Sequence, residues 1–131
     1  VEESTDENIE FVGVKQGEDL VEEMQKASVV VLASLAHMES FGMVLIEAMA
    51  CETPVIGTNI GGIPEVIRDG IDGFIVASRD SHALALAISK IVSDRELATR
   101  MGRFGEEKVR QFFSWDTRVA VTERVFASCL K

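Results

Sequence analysis

The chain alternates short apolar runs with segments of helical periodicity, and this alternation restricts its fold more than any other feature. Apolar runs predict strands at residues 9–12, 29–33, 54–56 and 74–76. The run 29–33 is apolar throughout, which predicts an interior strand buried on both faces. Helical segments lie between these runs, so neighbouring strands can be parallel, with crossover helices on both faces of the sheet. The sequence therefore predicts an α/β fold. Ligands of such sheets bind at the carboxyl ends of the strands, so the loops after the second and third runs are the expected site.

The helical segments carry recognisable start signals. Asp19 predicts the start of a helix over 19–27, and the apolar run 43–50 predicts a second helix. Pro64 suits the first turn of a short third helix. After the fourth strand the chain becomes helical, with predicted capping residues Asp80, Ser93 and Ser114.

Composition excludes several classes of function. With 131 residues, 47% of them hydrophobic, the chain is expected to form one domain with its own core. Its net charge of −9 argues against nucleic acids and anionic membranes as partners. A small phosphorylated ligand stays possible, because backbone amides bind phosphate without side-chain charge. Two cysteines make no disulfide framework, and neither a membrane span nor a signal peptide is recognisable, so we expect a cytoplasmic protein.

Two glutamates flank the start of the second predicted helix. Every residue of that helix except Glu47 is apolar, so we expect it to be buried on most of its surface and Glu47 to need a partner. Glu39 lies in the preceding loop, and Gly42 permits a tight turn between the two. Carboxylates accept bonds from hydroxyls and helix amides bind phosphate, so a nucleotide-sugar suits the arrangement. The alternative is structural, with Glu47 paired to a buried Arg and Glu39 solvated.

The loop after the third strand holds two adjacent glycines, Gly61 and Gly62, shortly before Pro64. Adjacent glycines allow the backbone to approach a ligand closely. The alternative is that the glycines are present only because the loop backbone needs a positive φ. The two glycine-bearing loops, at the ends of neighbouring strands, support each other as parts of one site.

Several motifs in combination resemble one known family. They are Glu-Ser-Phe-Gly-Met-Val-Leu-Ile-Glu-Ala-Met-Ala-Cys from Glu39, Thr-Pro-Val-Ile-Gly-Thr from Thr53, Gly-Gly-Ile-Pro-Glu-Val-Ile from Gly61 and Asp-Gly-Ile-Asp-Gly-Phe from Asp69. The combination is similar to the nucleotide-sugar-binding half of group 1 glycosyltransferases, the retaining two-domain GT-B enzymes of family 4. Within that family it is most similar to bacillithiol-type N-acetylglucosaminyl transferases and related bacterial enzymes. The resemblance implies a partial, Rossmann-like donor-binding domain over residues 9–131, after a frayed acidic start at 1–8.

The resemblance also implies roles for individual residues. Glu39 would contact the donor sugar near the reacting carbon, and Glu47 would bind both ribose hydroxyls. The donor sugar and the diphosphate would be held by the amides around Phe41, Gly42, Met43 and Val44. The base would lie near Gly13 and Val14, and the loops facing the cleft would contain His37, Gly61 and Gly62. The reaction would transfer a hexosyl group from a nucleotide-diphosphate sugar, expected to be of UDP type, to an acceptor with retention of configuration and without a cofactor or metal.

The sequence departs from the family pattern in several places. Position 52 is Glu where the family usually has Gly, and position 33 is Ala where Pro is common. The family's acceptor domain and the first β-α-β unit of its donor domain are lacking, and no Arg or Lys precedes Lys15. That unit carries the Gly-Arg and Lys that neutralise the diphosphate in the family. We therefore expect this chain alone to be inactive, and we expect the uncovered sheet edge to favour a homodimer.

Two other interpretations stay open. One is a non-catalytic module derived from the family that binds a nucleotide-sugar or mediates an interaction. The other is a different α/β protein whose glutamates are structural. His37 is more simply a solvated loop residue, and Cys51 a core thiol. A solvated helix face is expected for Arg100, Arg103, Lys108 and Arg110, and packing of the last helix is expected for Phe112, Phe113 and Trp115. The acceptor is left open.

Overall fold

The computed structural model describes residues 7–35 and 41–129. Strands and helices alternate in the first half of this part, and helices follow in the second. In chain order the elements are α1 (Gly17–Lys26), β1 (Val30–Leu32), α2 (Met43–Ala50), β2 (Val55–Thr58), α3 (Ile63–Val66), β3 (Gly73–Val76), α4 (Ser81–Ser93), α5 (Arg95–Lys108), a π-helical turn (Val109–Phe113) and α6 (Trp115–Cys129). Among the described residues, no helix combines the length and apolar character needed to cross a bilayer.

The described strands form one parallel sheet in the order β1-β2-β3. Val31 of β1 is aligned with Ile56 of β2, and Ile56 with Phe74 of β3. All four residues of β2 are buried, as expected for the central strand of a parallel sheet. The predicted parallel α/β fold is confirmed.

Strand β1 occupies an edge of this sheet. The apolar run 29–33 predicted an interior strand buried on both faces, but Val31 is 37% exposed and the strand covers only three residues. The prediction is wrong because apolar composition shows that a strand is hydrophobic, and does not show whether another strand pairs beside it.

Residues 9–12 do not form the predicted first strand. Ile9 and Phe11 are 52% and 58% exposed, and no described strand pairs with this segment. A strand requires a ladder of backbone hydrogen bonds to a neighbour, and apolar side chains cannot replace it. Of the predicted frayed start, residues 1–6 lie outside the described residues, and residues 7 and 8 form an exposed turn.

Helices cover both faces of the sheet, as predicted. Successive strand residues point to opposite faces, so Val55 and Ile56 of β2 belong to two different hydrophobic clusters. The Val55 cluster is completed by α1, α2 and α3. The Ile56 cluster is completed by α4 and α5. The candidate site lies on the side of the Val55 cluster.

The helix caps confirm some start signals and correct others. The Asp80 carboxylate caps α4 by accepting a 2.8 Å hydrogen bond from the amide three residues later. The α5 cap is Asp94 and not Ser93, which ends α4, because both residues are cap formers and the later one accepts the 2.9 Å bond. The Ser114 hydroxyl accepts a bond from the first turn of α6, as predicted. Helix α1 starts two residues before Asp19, without a side-chain cap.

Candidate functional site

The carboxyl ends of the three strands are joined by hydrogen bonds to one carbonyl. The Thr58 hydroxyl, at the end of β2, donates to the Ser34 carbonyl oxygen over 2.8 Å. The Ser78 hydroxyl, after β3, reaches the same oxygen at 3.5 Å. Ser34 follows β1, so these bonds fix the point at which the chain leaves the sheet. This is the end of the sheet where a ligand is expected.

Helix α2 begins at a glycine with a left-handed backbone. Gly42 is its N-cap residue, with φ +77° and ψ 48°. A Cβ at this position would lie 3.3 Å from the Leu45 side chain and 3.4 Å from that of Ile63. Both the backbone angle and the crowding therefore favour glycine here.

The first amides of α2 are available to an anion. No side chain of a described residue caps the helix, and its first turn contains no acidic residue. The backbone amides of Met43 and Val44 make no hydrogen bond within the described residues. Unbonded amides at the positive end of a helix dipole can bind an anion such as phosphate.

Glu47 lies on an exposed face of α2, one turn after Met43. The expectation of a helix buried on most of its surface, with Glu47 inside, is wrong, because Met43, Glu47 and Ala50 are all exposed. Residues spaced by three and four share one helix face, and this face is turned away from the hydrophobic cluster. The opposite face supplies the buried residues Leu45, Ile46, Ala48 and Met49.

The Glu47 carboxylate has no hydrogen-bond or ion-pair partner in the described part of the chain. It takes part in none of the hydrogen bonds or ion pairs there, so no buried Arg pairs with it among these residues. The structural alternative for Glu47 therefore has no support in this part of the chain. An exposed carboxylate one turn from unbonded amides can accept hydroxyl hydrogen bonds from a ligand that also carries a phosphate.

Cys51 follows α2 and is half-buried. Burial raises the pKa of its thiol, and the nearby Glu47 carboxylate raises this pKa further. A raised pKa lowers the thiolate fraction at neutral pH, which disfavours a nucleophilic role for Cys51.

Phe41, directly before Gly42, is held by an aromatic partner from the far end of the chain. Its ring meets the Phe113 ring edge to face, with 6.0 Å between centroids and 68° between planes. The Arg118 guanidinium stands 5.5 Å from the centroid of Phe113. From the sequence we expected Phe113 only to pack the last helix. The π-helical turn that carries Phe113 places its ring against Phe41, directly before the cap of α2. Trp115, expected to pack as well, is 83% exposed.

The glycine-bearing loop after β2 adjoins the start of α2. Gly62 is the N-cap residue of α3, and Ile63 is the first residue of that helix. The Ile63 side chain packs beside Gly42, where its Cγ1 would lie 3.4 Å from an added Cβ. The structure thus brings together the predicted residues Phe41, Gly42, Met43, Val44, Glu47, Gly61 and Gly62.

Lys108 is bonded to the end of α3, a role that the sequence did not reveal. We expected it on a solvated helix face, but it is only 9% exposed. Its ammonium donates hydrogen bonds to the carbonyl oxygens of Val66 and, at 3.3 Å, Glu65, at the end of α3. The expectation is wrong because the partners of Lys108 lie more than 40 residues away in the chain.

The predicted base-binding segment is exposed backbone before α1. Val14 is 88% exposed, and neither Gly13 nor Val14 belongs to the described hydrophobic clusters. Their predicted place at the end of a first strand is wrong, because that strand is not formed. The predicted catalytic Glu39 and the loop residue His37 lie outside the described residues.

A separate concavity among the described residues lies on α5. It is a groove of about 1090 Å³ that extends from Glu52 along the exposed face of α5. Four arginines and four glutamates line it, namely Arg95, Arg100, Arg103, Arg110, Glu52, Glu96, Glu106 and Glu107. A groove with balanced charge does not select an anion, so we assign the site to the start of α2. In residues 7–35 and 41–129, no group of His, Cys, Asp and Glu could hold a metal ion.

Comparison with known proteins identifies the family of the chain. Residues 2–108 match the model of the group 1 glycosyl transferases, and the chain therefore belongs to this family. The family resemblance carried by the glutamate and glycine motifs is confirmed.

Among curated relatives, the D-inositol 3-phosphate glycosyltransferase of Streptomyces griseus is 39% identical over 113 residues, which are 86% of this chain and 23% of that protein. The N-acetyl-alpha-D-glucosaminyl L-malate synthase of Bacillus anthracis is 39% identical over 97 residues, which are 74% of this chain and 26% of that protein. The chain thus spans about a quarter of the length of these two relatives.

Solved structures share the fold. Anabaena HepE in complex with UDP and glucose gives a TM-score of 0.84 at 28% identity, covering 93% of this chain and 33% of that one. The sucrose-phosphate synthase of Thermosynechococcus elongatus gives a TM-score of 0.72 at 36% identity, covering 79% of this chain and 26% of that one. The predicted GT-B relationship is confirmed for the part of those structures that this chain matches.

Proposed function

We propose that this chain is the donor-binding portion of a retaining glycosyltransferase, which transfers a hexosyl group from a nucleotide-diphosphate sugar to an acceptor. One observation carries the proposal: the unbonded amides of Met43 and Val44 and the unpartnered Glu47 carboxylate lie on the same helix, one turn apart, among the described residues. The amides suit the diphosphate and the carboxylate suits the ribose hydroxyls.

The geometry of α2 fits both contacts at once. Residues 43 and 47 are separated by about 6 Å along the axis of an α-helix. A ribose diol and the diphosphate on the same nucleotide are neighbours, so one ligand can reach both groups. Gly42 and the Phe41–Phe113 contact fix the direction in which the amides point.

The donor is proposed to be of UDP type. This is supported by the Anabaena HepE structures, which contain UDP-glucose or UDP with glucose. From the family resemblance of its motif, we propose that Glu39 contacts the donor sugar near the reacting carbon, and that residues 9–131 form a partial donor-binding domain. We also propose a cytoplasmic protein of bacterial type, in line with the bacterial relatives.

Cations are needed for transfer, because the leaving diphosphate gains negative charge in the transition state. The segment from Phe41 to Cys51 contains no Lys or Arg. We propose that these cations come from outside α2 and its cap, and that the chain of 131 residues binds the donor without turning it over.

Calorimetric titration with UDP-glucose tests the donor site. We expect binding by the unaltered chain and a loss of affinity in Glu47→Ala, because the ribose contact is removed. Glu123→Ala, at an exposed position of α6, is the matched control and should bind as the unaltered chain does. Unchanged affinity in Glu47→Ala would refute the ribose assignment. Absence of binding to every member of a nucleotide-sugar panel would favour a fold whose glutamates are structural.

The second candidate, which the sequence left open, is a non-catalytic nucleotide-sugar-binding or interaction module derived from the family. A chimera separates the two. In it, this chain replaces the matching third of Anabaena HepE, and hydrolysis or transfer of the donor is assayed. Activity that depends on Glu47 supports the transferase, whereas a folded, donor-binding but inactive chimera supports the module.

A homodimer through the edge of β1 is proposed as the state of the chain in solution. Val31 and the apolar side chains of Phe11 and Val14 are exposed, at 37%, 58% and 88%. An edge strand with an apolar surface favours pairing with another strand. Multi-angle light scattering at high micromolar concentration should give twice the chain mass, and a monomer mass would refute the dimer.

A further inference from the structure

The buried ammonium of Lys108 is used by no step of the proposed donor contact. Lys108 lies in the last turn of α5, and its Nζ donates to the carbonyl oxygens of Val66 and Glu65. Burial lowers the pKa of Lys108, and the charge of Asp72 opposes this lowering in part. A buried cation persists only where hydrogen bonds replace its water. Here the carbonyl oxygens at the end of α3 replace the water around the Lys108 ammonium.

The chain directly after α3 is also attached to α5. The Arg68 Nε donates to the fully buried Asp72 carboxylate at 2.5 Å, and the Arg68 backbone amide donates to its other oxygen at 2.6 Å. The same guanidinium reaches the Phe104 carbonyl of α5 at 3.4 Å. Thus α5 holds the end of α3 through Lys108, and the turn that follows through Arg68.

The first residue of α3, Ile63, packs beside Gly42 at the start of α2, where the donor is proposed to bind. The Ile63 side chain fills the space that a side chain at Gly57 would need, since a Cβ there would lie 2.5 Å from it. It also borders Gly42, where an added Cβ would lie at contact distance, 3.4 Å. Helix α3 is a single turn of four residues, about 6 Å long. So short a helix moves as one body, and a shift at Val66 moves Ile63 against Gly42.

We propose that Lys108 is a positioning residue for donor binding: it holds α3 so that Ile63 stays seated against Gly42, which keeps the first amides of α2 aligned. The inference deepens the proposed function and rests on it for the ligand. Lys108 itself does not touch the donor. Its effect passes through α3 and Ile63 to the cap of α2.

Lys108→Met tests the inference, because it keeps most of the buried stem and removes the ammonium. Leu97→Ala is the control, since Leu97 is buried in the Ile56 cluster, on the other face of the sheet from α2 and α3. Both variants lose stability, so Kd values for UDP-glucose are compared at temperatures equally far below each midpoint. We expect the Kd to rise about tenfold in Lys108→Met and to stay unchanged in Leu97→Ala.

Amide hydrogen exchange provides a readout that needs no ligand. The amides of Leu45, Glu65 and Ile67 are bonded at 2.9, 3.0 and 3.1 Å and report on the α2 cap and on α3. We expect faster exchange at all three in Lys108→Met and no such change in Leu97→Ala.

The two readouts separate failure of the inference from failure of the proposed function. If the unaltered chain does not bind UDP-glucose while exchange changes as expected, the proposed function fails, whereas the support that Lys108 gives to α3 and the α2 cap stands. If exchange at Leu45 and Glu65 is the same in Lys108→Met as in the unaltered chain, the inference is refuted. A rise in Kd of equal size in Leu97→Ala would refute it too, because the effect would then be one of general stability.

Discussion

Replacing Gly102 by Ala tests the packing that holds α5 against the turn after α2. Gly102 is buried on α5, and an added Cβ would lie 1.9 Å from the carbonyl oxygen of Glu52 and 2.8 Å from its carbonyl carbon. These are backbone atoms, so no side-chain rotation relieves the clash. The helix must move away from the turn by more than about 1 Å to reach ordinary van der Waals contact.

The expected cost is the difference of two effects. Overpacking of a close-packed interior costs about 1–3 kcal/mol, and a rigid backbone neighbour favours the upper part of this range. Alanine stabilises a helix interior relative to glycine by about 1 kcal/mol. We therefore expect Gly102→Ala to lower the free energy of unfolding by about 2 kcal/mol.

Urea unfolding followed by circular dichroism measures this change, and Gly105→Ala is the matched control. At Gly105 an added Cβ would lie 3.1 Å from Cγ of Met49, a flexible side chain that can move. The cost of crowding Met49 and the gain in helix propensity from glycine to alanine should nearly cancel. We therefore expect the free energy of unfolding of Gly105→Ala to lie within about 1 kcal/mol of that of the unaltered chain. If Gly102→Ala is as stable as Gly105→Ala, the described packing of α5 is refuted.

Three further substitutions or reactions test separate parts of the structure. Glu52→Gly should raise the free energy of unfolding by about 0.5–1 kcal/mol in urea unfolding, because Glu52 holds a left-handed φ of +59° that glycine adopts without strain. Thr53→Val should lower it by about 1–2 kcal/mol in the same assay, since its buried hydroxyl donates a 2.7 Å bond to the carbonyl of residue 24. At pH 8, alkylation followed by mass spectrometry should be slower at Cys51 than at the exposed Cys129, and Glu47→Gln should speed it at Cys51 by lowering the pKa of that thiol.

Opposite results would contradict the physical reason behind each expectation. A destabilising Glu52→Gly would mean that the glutamate side chain contributes more than its backbone strain costs. An unchanged stability in Thr53→Val would mean that the hydroxyl bond contributes nothing, and equal alkylation rates would mean that Cys51 is not shielded.

Local signals predicted much of the fold. The bounds of α2 agree with the predicted helix over 43–50, because Gly42 and the turn at Glu52 end the helical backbone on either side. The Asp80 cap is likewise a bond between neighbours in the chain. Parallel pairing followed from the alternation of strands and helices, which leaves few other arrangements.

What the sequence did not predict depends on partners far away in the chain. The run 9–12 has strand composition and no described strand beside it, and Val31 of β1 is exposed because β1 is an edge. Lys108 looked like its neighbours Arg103 and Arg110, and only the position of α3 makes it a buried donor. For the site, the motif residues of α2 were identified, whereas their exposure was not, since the apolar composition of α2 does not show which face meets the core.

The location of the diphosphate on α2 is the central claim, and NMR amide shifts during a UDP titration test it most directly. We predict saturable shifts at Met43, Val44 and Leu45, and a loss of affinity in Glu47→Ala. Thr99 and Arg103, which line the groove on α5, should not shift. Shifts centred on that groove, with the α2 amides unchanged, would contradict the proposed location.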